Sequence, residues 1–212
     1  ICSALIIHGM QQGTIKAAVV GNEDPEDPSM GYAKLATTEE EVMQSVRSRY
    51  TYQPNTLTLI EAMKRGIGPL AVVGVPCQVD GVRQQQFSAI RLDVAEWYRE
   101  NIGLVVGLFC SEAFTSKGID WLSQELEVPR RDISKINIKG KVEITLRDGR
   151  EEIVSLKKFG KYARPACLYC KDYAADNADI GLGGIGLSGW TFTVIRTAAG
   201  HKAFQALRES GW

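Results

Sequence analysis

The chain holds only two histidines, no surplus of charge of either sign and no apolar run long enough to cross a bilayer. His8 and His201 stand apart, with no neighbours resembling a catalytic triad or a zinc set, so histidine chemistry is not the carrier of function. Lys+Arg and Asp+Glu each total 25. No basic stripe with interleaved aromatics stands out, which argues against nucleic acid as a partner. The longest apolar runs, such as residues 104–110, fall far short of the roughly 20 residues that a membrane helix needs. No basic leader precedes the apolar start, so neither a membrane span nor a signal peptide is expected. A Walker loop and a G-x-S-x-G elbow are also missing, which removes two common routes to phosphate and acyl chemistry.

What is present is an ordinary globular balance, 44% hydrophobic and 24% charged over 212 residues, enough for a proper core. Two features exceed it. Glycine reaches 21 residues, which suggests tight turns or backbone lying close to a ligand. Cysteine reaches five, an odd count in a long chain. A secreted disulfide framework is usually short and even, so a reduced, cytoplasmic compartment is expected, where grouped cysteines bind metal or do redox chemistry. The absence of a starting Met and the abrupt amphipathic opening suggest a piece of a longer protein, cut at both ends.

Apolar positions over residues 1–12 recur at helical spacing, and Gly13 can end that helix. Lys16 to Val20 reads as a buried strand, and Tyr32 to Ala36 as its return. Thr38-x-x-Glu41 predicts a capping box for a helix running to Tyr50, and Asn55 is expected to cap a second helix that Gly66 ends. Two nearly unbroken apolar runs follow, Leu70 to Val75 and Leu104 to Phe109, each stopping at a cysteine. Such runs alternating with helices predict strands buried on both faces of an α/β sheet, with functional residues just past their carboxyl ends. The second half turns antiparallel over residues 135–156, with Asp148-Gly149 as a hairpin turn. The expected fold is therefore α/β (α+β): a mixed sheet with flanking helices plus an antiparallel hairpin portion. It forms one domain over 1–212, with an amino-terminal portion (1–102) and a carboxyl-terminal portion (103–212).

Cys167-x-x-Cys170 is the sharpest local feature, because two intervening residues let both sulfurs turn toward one metal centre. Cys77 and Cys110, at the two strand ends, can complete a set of four. Cys2 lies on an apolar helical face and reads as a small buried hydrophobe. Spacing alone leaves zinc and iron–sulfur open. Gly181-x-Gly183-x-x-Gly186 matches a dinucleotide fingerprint on paper, but that motif needs a helix after it, and here a strand (TFTVIRT) follows. The glycines are read instead as backbone held close to a cofactor or cluster.

In these residues the sequence resembles the family of coenzyme F-420-reducing hydrogenase beta subunits, which includes formate dehydrogenase beta subunits and chlorophyll-pathway reductases. The matching stretches are Ser48-Arg49-Tyr50 leading to Pro54-Asn55, Val75-Pro76-Cys77-Gln78 with Gly81-Val82-Arg83, and Phe109-Cys110-Ser111-Glu112. They continue with Arg164-Pro165-Ala166-Cys167-Leu168-Tyr169-Cys170-Lys171-Asp172-Tyr173, then Ala178-Asp179-Ile180 and Gly189-Trp190. The resemblance implies FAD beside one 4Fe-4S cluster on Cys77, Cys110, Cys167 and Cys170. It also implies a flavin groove lined by Ser48, Arg49, Tyr50, Pro54, Asn55, Pro76, Gln78, Gly183, Gly184 and Gly186. No catalytic side chain is specified. Arg49, Lys157, Lys158, Lys161 and Arg164 are candidates for an anionic coenzyme tail. The implied work is electron transfer between the clusters of a partner protein, in a hydrogenase, a formate dehydrogenase or a ferredoxin-fed system, and coenzyme F-420. Two rivals are a ferredoxin-dependent reductase of a chlorophyll-type substrate and a non-enzymatic domain stapled by zinc on the same cysteines.

Overall fold

The computed structural model describes residues 1–186 and 189–212. Along the chain run α1 (Cys2–Gln11), β1 (Ala17–Glu23), β2 (Gly31–Ala36), α2 (Glu39–Gln44), α3 (Thr58–Arg65), β3 (Leu70–Gly74), α4 (Pro76–Gln86), α5 (Leu92–Asn101) and β4 (Ile102–Leu108). Then come α6 (Ser116–Glu125), β5 (Ile133–Ile138), β6 (Val142–Leu146), β7 (Glu151–Val154), α7 (Leu156–Phe159), β8 (Ile180–Gly183), β9 (Phe192–Ile195) and α8 (Ala198–Glu209). The larger sheet has the order β2-β1-β3-β4-β8-β9 and the smaller the order β5-β6-β7. Within the larger, β1, β3, β4 and β8 are parallel, and the edge strands β2 and β9 are antiparallel to their neighbours. The expected mixed sheet with an antiparallel annex is what the chain forms.

The apolar runs are strands because both faces are covered. Side chains of a strand alternate between faces, and the two cores divide accordingly. Ala18, Val20, Ala71, Val73, Leu104 and Val106 join Leu5, Ile6 and Ile7 of α1, Val42 of α2 and Leu207 of α8. Ala17, Val19, Leu70, Val72 and Val105 join Leu59 and Ala62 of α3, Val79 and Val82 of α4, and Trp97 and Tyr98 of α5. A third core fills the space between the small sheet and α6, where Ile133, Ile144 and Leu146 meet Ile119 and Leu122 around Phe114 and Phe159.

Three local expectations are corrected. The helix begun at Thr38 stops at Gln44, not Tyr50. The Ser45 hydroxyl donates to the Val42 carbonyl at 2.7 Å, and Arg49 Nη1 donates to the Ser45 carbonyl at 2.9 Å, so side chains take over the role of the next turn. The capping box is half formed. The Thr38 hydroxyl accepts from the Glu41 N–H, but the Glu41 carboxylate accepts from the Thr37 N–H at 2.7 Å, one residue early. Asn55 caps nothing: it is buried, and its Nδ2 donates to the Val73 carbonyl at 3.0 Å. Gly66, by contrast, ends α3 in the left-handed conformation as expected. Among the described residues, no helix is long and apolar enough to cross a membrane.

Candidate functional site

β3 and β4 run parallel with Gly74 opposite Gly107, so the chain leaves both strands at one edge of the sheet. Cys77 follows Gly74 by three residues, and Cys110 follows Gly107 by three. Parallel register therefore delivers both cysteines to the same carboxyl edge. Cys77 sits in the first turn of α4, opened by Pro76, whose fixed φ suits that position and whose missing N–H is no loss there. The positive end of the helix macrodipole favours an anionic ligand atom at this point.

The Cys167/Cys170 loop is sewn to the chain that leaves β4. The Arg164 N–H donates to the Ala113 carbonyl at 2.9 Å, and the Cys110 N–H donates to the Tyr173 carbonyl at 2.9 Å, one bond at each end of the loop. Between them a 3₁₀ turn, Pro165–Tyr169, sets the pair, with Cys167 N–H donating to the Arg164 carbonyl at 2.9 Å. The Ala113 N–H points at Cys167 Sγ, 3.5 Å away.

Electrostatics ties the four thiols together. Burial pushes the Cys110 thiol up to about 12, and the neighbouring Cys167, Cys77 and Cys170 thiols add to that rise. Desolvation likewise raises the Cys77 thiol, Cys170 adds to it, and the Arg164 guanidinium pulls the other way. Cys110 thus lies within reach of the other three, and Cys77 within reach of Cys167 and Cys170. Among the described residues, no three His, Cys, Asp or Glu side chains close on a point as a single ion requires. Cys2 stands apart, packed against the α1 side of the sheet, where burial pushes its thiol up to about 11.

Several of the other sequence-predicted residues meet at this edge. Gln78 is buried; its Oε1 accepts from the Val75 N–H at 3.1 Å and its Nε2 donates to the Gln53 carbonyl. Asn55 grips β3 through Val73, and the Pro54 segment is thereby tied to the Pro76–Gln78 turn. Gln53 Nε2 and Asn55 Oδ1 are buried without a hydrogen-bond partner, the kind of orphan that a bound polar group would satisfy. Ser48 is exposed. Arg49 turns back onto the carbonyls of Ser45, Val46 and Arg47, and burial lowers its pKa. Tyr50 points to the small sheet, its hydroxyl accepting from the Ile138 N–H at 3.2 Å.

The glycine segment divides. Gly181 and Gly183 belong to β8, and the next element among the described residues is the strand β9, not the helix that a dinucleotide fingerprint needs. A β-carbon on Gly183 would meet the Phe109 side chain, while Gly184 and Gly186 have open space around them. Leu187 and Ser188, within the same glycine-rich segment, lie outside the described residues.

Two residues at this edge carry roles that the sequence does not display. Tyr52 lies under the Arg164 guanidinium, 3.9 Å from ring centroid to Cζ. Phe109 packs against Tyr173 and Phe192 beside Cys110, at centroid distances of 5.3 and 6.3 Å. The Phe109-Cys110 motif marks the place, but the ring's partners come from distant segments. A separate open cavity of about 740 Å³ runs along α4, lined by Asp80, Arg83, Phe87, Asp176, Asp179 and Arg196 among others, and none of the proposed site residues borders it.

Comparison with known proteins adds the last observation. Residues 68–212 match the family described as the C terminus of the coenzyme F-420 hydrogenase/dehydrogenase beta subunit, and residues 1–61 match its N-terminal counterpart. The chain is 32% identical to the beta subunit of the coenzyme F-420 hydrogenase of Methanococcus voltae, over 99% of this chain and 74% of that protein. It is 31% identical to the corresponding beta subunit of Methanosarcina barkeri, over 95% of this chain and 69% of that one. A chain of the F-420-reducing nickel–iron hydrogenase complex from Methanosarcina barkeri superposes with a TM-score of 0.91 at 29% identity, covering 100% of this chain and 72% of that chain. The chain belongs to the family of coenzyme F-420 hydrogenase/dehydrogenase beta subunits.

Proposed function

We propose that this chain is an iron–sulfur flavoprotein that passes electrons between the clusters of a partner protein and coenzyme F-420. The observation that carries the reading is the gathering of the segments bearing Cys77, Cys110, Cys167 and Cys170 at the carboxyl edge of the sheet, by the β3/β4 register and by the hydrogen bonds that sew residues 164–173 to residues 110–113. A zinc ion needs all its sulfurs at about 2.3 Å from one point. A 4Fe-4S cube takes one thiolate per iron, and these four cysteines supply that number. Burial raises the Cys77 and Cys110 thiols, so ligation at these two must release protons, as metal binding to thiols generally does.

FAD fits beside this set. The orphaned Gln53 Nε2 and Asn55 Oδ1, the turn at Pro76–Gln78, and the open backbone at Gly184 and Gly186 supply polar atoms and close approach for a flat, polar-edged group. When bound, the flavin supplies the exchange between hydride and single-electron chemistry. The chain's own part is positional. Gln78 and Asn55 hold the strand end, and the segment 110–113 with its partner loop 164–173 holds the thiols.

Protein isolated without oxygen should contain about four irons and four sulfides per chain. Cys167→Ser and Cys170→Ser should lose them, while Cys2→Ser keeps them. Coenzyme F-420 and a one-electron dye should exchange electrons only with FAD present. Zinc in place of iron and sulfide, or F-420 reduction by flavin-free protein, would refute this function.

A further inference from the structure

Several arginines are answered by carboxylates, among them Arg83 by Asp179, Arg130 by Asp27 and Asp120, and Arg196 by Asp176. Arg164 has no such partner among the described residues. Its guanidinium instead lies over the Tyr52 ring, 3.9 Å from the centroid. Its backbone is fixed on both sides, the N–H donating to the Ala113 carbonyl and the carbonyl accepting from the Cys167 N–H, both at 2.9 Å. An arginine stacked on an aromatic face keeps its full charge and loses most of its freedom. The Tyr52 N–H donates to the Phe114 carbonyl at 3.3 Å, and the adjacent Ala113 N–H points at Cys167 Sγ, 3.5 Å away, so the stacked guanidinium stands beside the turn that carries Cys167.

We propose that Arg164 is a positioning residue for the cluster: held on Tyr52, it is the fixed counter-charge that raises the cluster's reduction potential. The inference rests on the function proposed above. One-electron reduction adds a negative charge to a centre already ringed by four thiolates, and a nearby cation, kept from folding onto a carboxylate, stabilises the reduced form. The half-buried setting of Arg164 limits screening by solvent. Tyr52 matters because an unanchored guanidinium on a flexible stem would swing toward water. The role differs from gripping an anionic coenzyme tail, the alternative for a cationic side chain in this loop.

The test is a redox titration of the anaerobic, cluster-loaded full-length protein, read by electron paramagnetic resonance, with iron and sulfide measured in each variant. Arg164→Gln should shift the oxidised-to-reduced ratio at fixed poise about tenfold toward oxidised, which is about 59 mV for one electron. Arg164→Lys, which keeps the charge, should recover most of the shift. Tyr52→Leu should move the potential in the same direction by less, and it tests the idea even where Arg164→Gln loses its cluster. Arg150→Gln, an exposed change on the small sheet, should leave the potential unchanged. A loaded Arg164→Gln protein with unaltered potential overturns the inference, and a raised KM for F-420 alongside it assigns Arg164 to the coenzyme. An equal shift in Arg150→Gln overturns it as well. Wild-type protein without iron and sulfide fails the proposed function instead, so the two failures are distinct.

Discussion

At Gly183 the space for a β-carbon is already occupied by the Cβ and ring atoms of Phe109. The same ring packs on Tyr173 and Phe192, so it cannot retreat without disturbing the wall beside Cys110. Gly183→Ala should therefore destabilise the flavin-free protein by about 1–3 kcal/mol, the usual cost of overpacking, measured by denaturant unfolding. An unchanged midpoint without flavin, with lost FAD affinity, would show that the glycine serves the cofactor alone. The cysteines are legible in the sequence because their signals are local: a two-residue spacing and two apolar runs that end on sulfur. Asn55 and Gln78 are expected at the site from the sequence, but their contacts are not legible there. Their side chains bond the backbone of Val73 and Gln53, contacts that only the folded sheet creates. The contacts of Arg49 are the least legible, since its bonds to three backbone carbonyls depend on where α2 stops.

Between elements, Asp179 is the joint on which the middle of the large sheet turns. Its Oδ2 accepts from the Val105 N–H of β4 at 2.7 Å, and its Oδ1 accepts from the Thr197 hydroxyl at 2.6 Å. Arg83 of α4 lies 2.9 Å from the same carboxylate, with both side chains largely buried. Thr197 in turn caps α8 by accepting from the Gly200 N–H at 3.1 Å. One carboxylate thus ties a strand, the helix that carries Cys77, and the last helix. Asp179→Asn keeps the shape and removes the charge, leaving the Arg83 cation without its partner. The expected loss is about 3 kcal/mol, seen as a lower melting temperature; a melt within a degree or so of wild type would contradict it. Elements are read well where burial leaves a continuous apolar run, as at β3 and β4. The strand β8 is harder to see, because Ile-Gly-Leu-Gly has low strand propensity and its glycines are explained only by Arg196, Ala174 and Phe109 pressing on them. The end of α2 escapes the sequence for a related reason: the signal that stops it is a side chain folding back, which leaves no mark in periodicity.

The whole molecule is two sheets with different cores, and the proposed site lies where they are joined. Thr51 bridges to Phe114 in parallel, and Phe114 bridges to Ala163 in antiparallel fashion. This short seam draws together the segment after α2, the chain leaving β4 and the loop before Cys167. Phe114 anchors it: 1% exposed, stacked on Phe159 at 4.2 Å, and surrounded by the core of the small sheet. Cys110 lies four residues before Phe114, and Cys167 lies four after Ala163, so the spacing between the strand-end cysteines and the loop pair depends on the seam holding. Phe114→Ala removes the stacked ring and should cost about 3–5 kcal/mol. The large sheet, with its two cores intact, should remain folded. The expected signature is therefore uneven: protection from hydrogen exchange falls in β5, β6, β7 and residues 160–173 while β1, β3 and β4 keep theirs. Iron content should fall with it, because Cys167 and Cys170 leave the reach of Cys77 and Cys110. Full iron content in a Phe114→Ala protein whose small sheet has loosened would separate the cluster from the seam and show that the four thiols hold their own geometry.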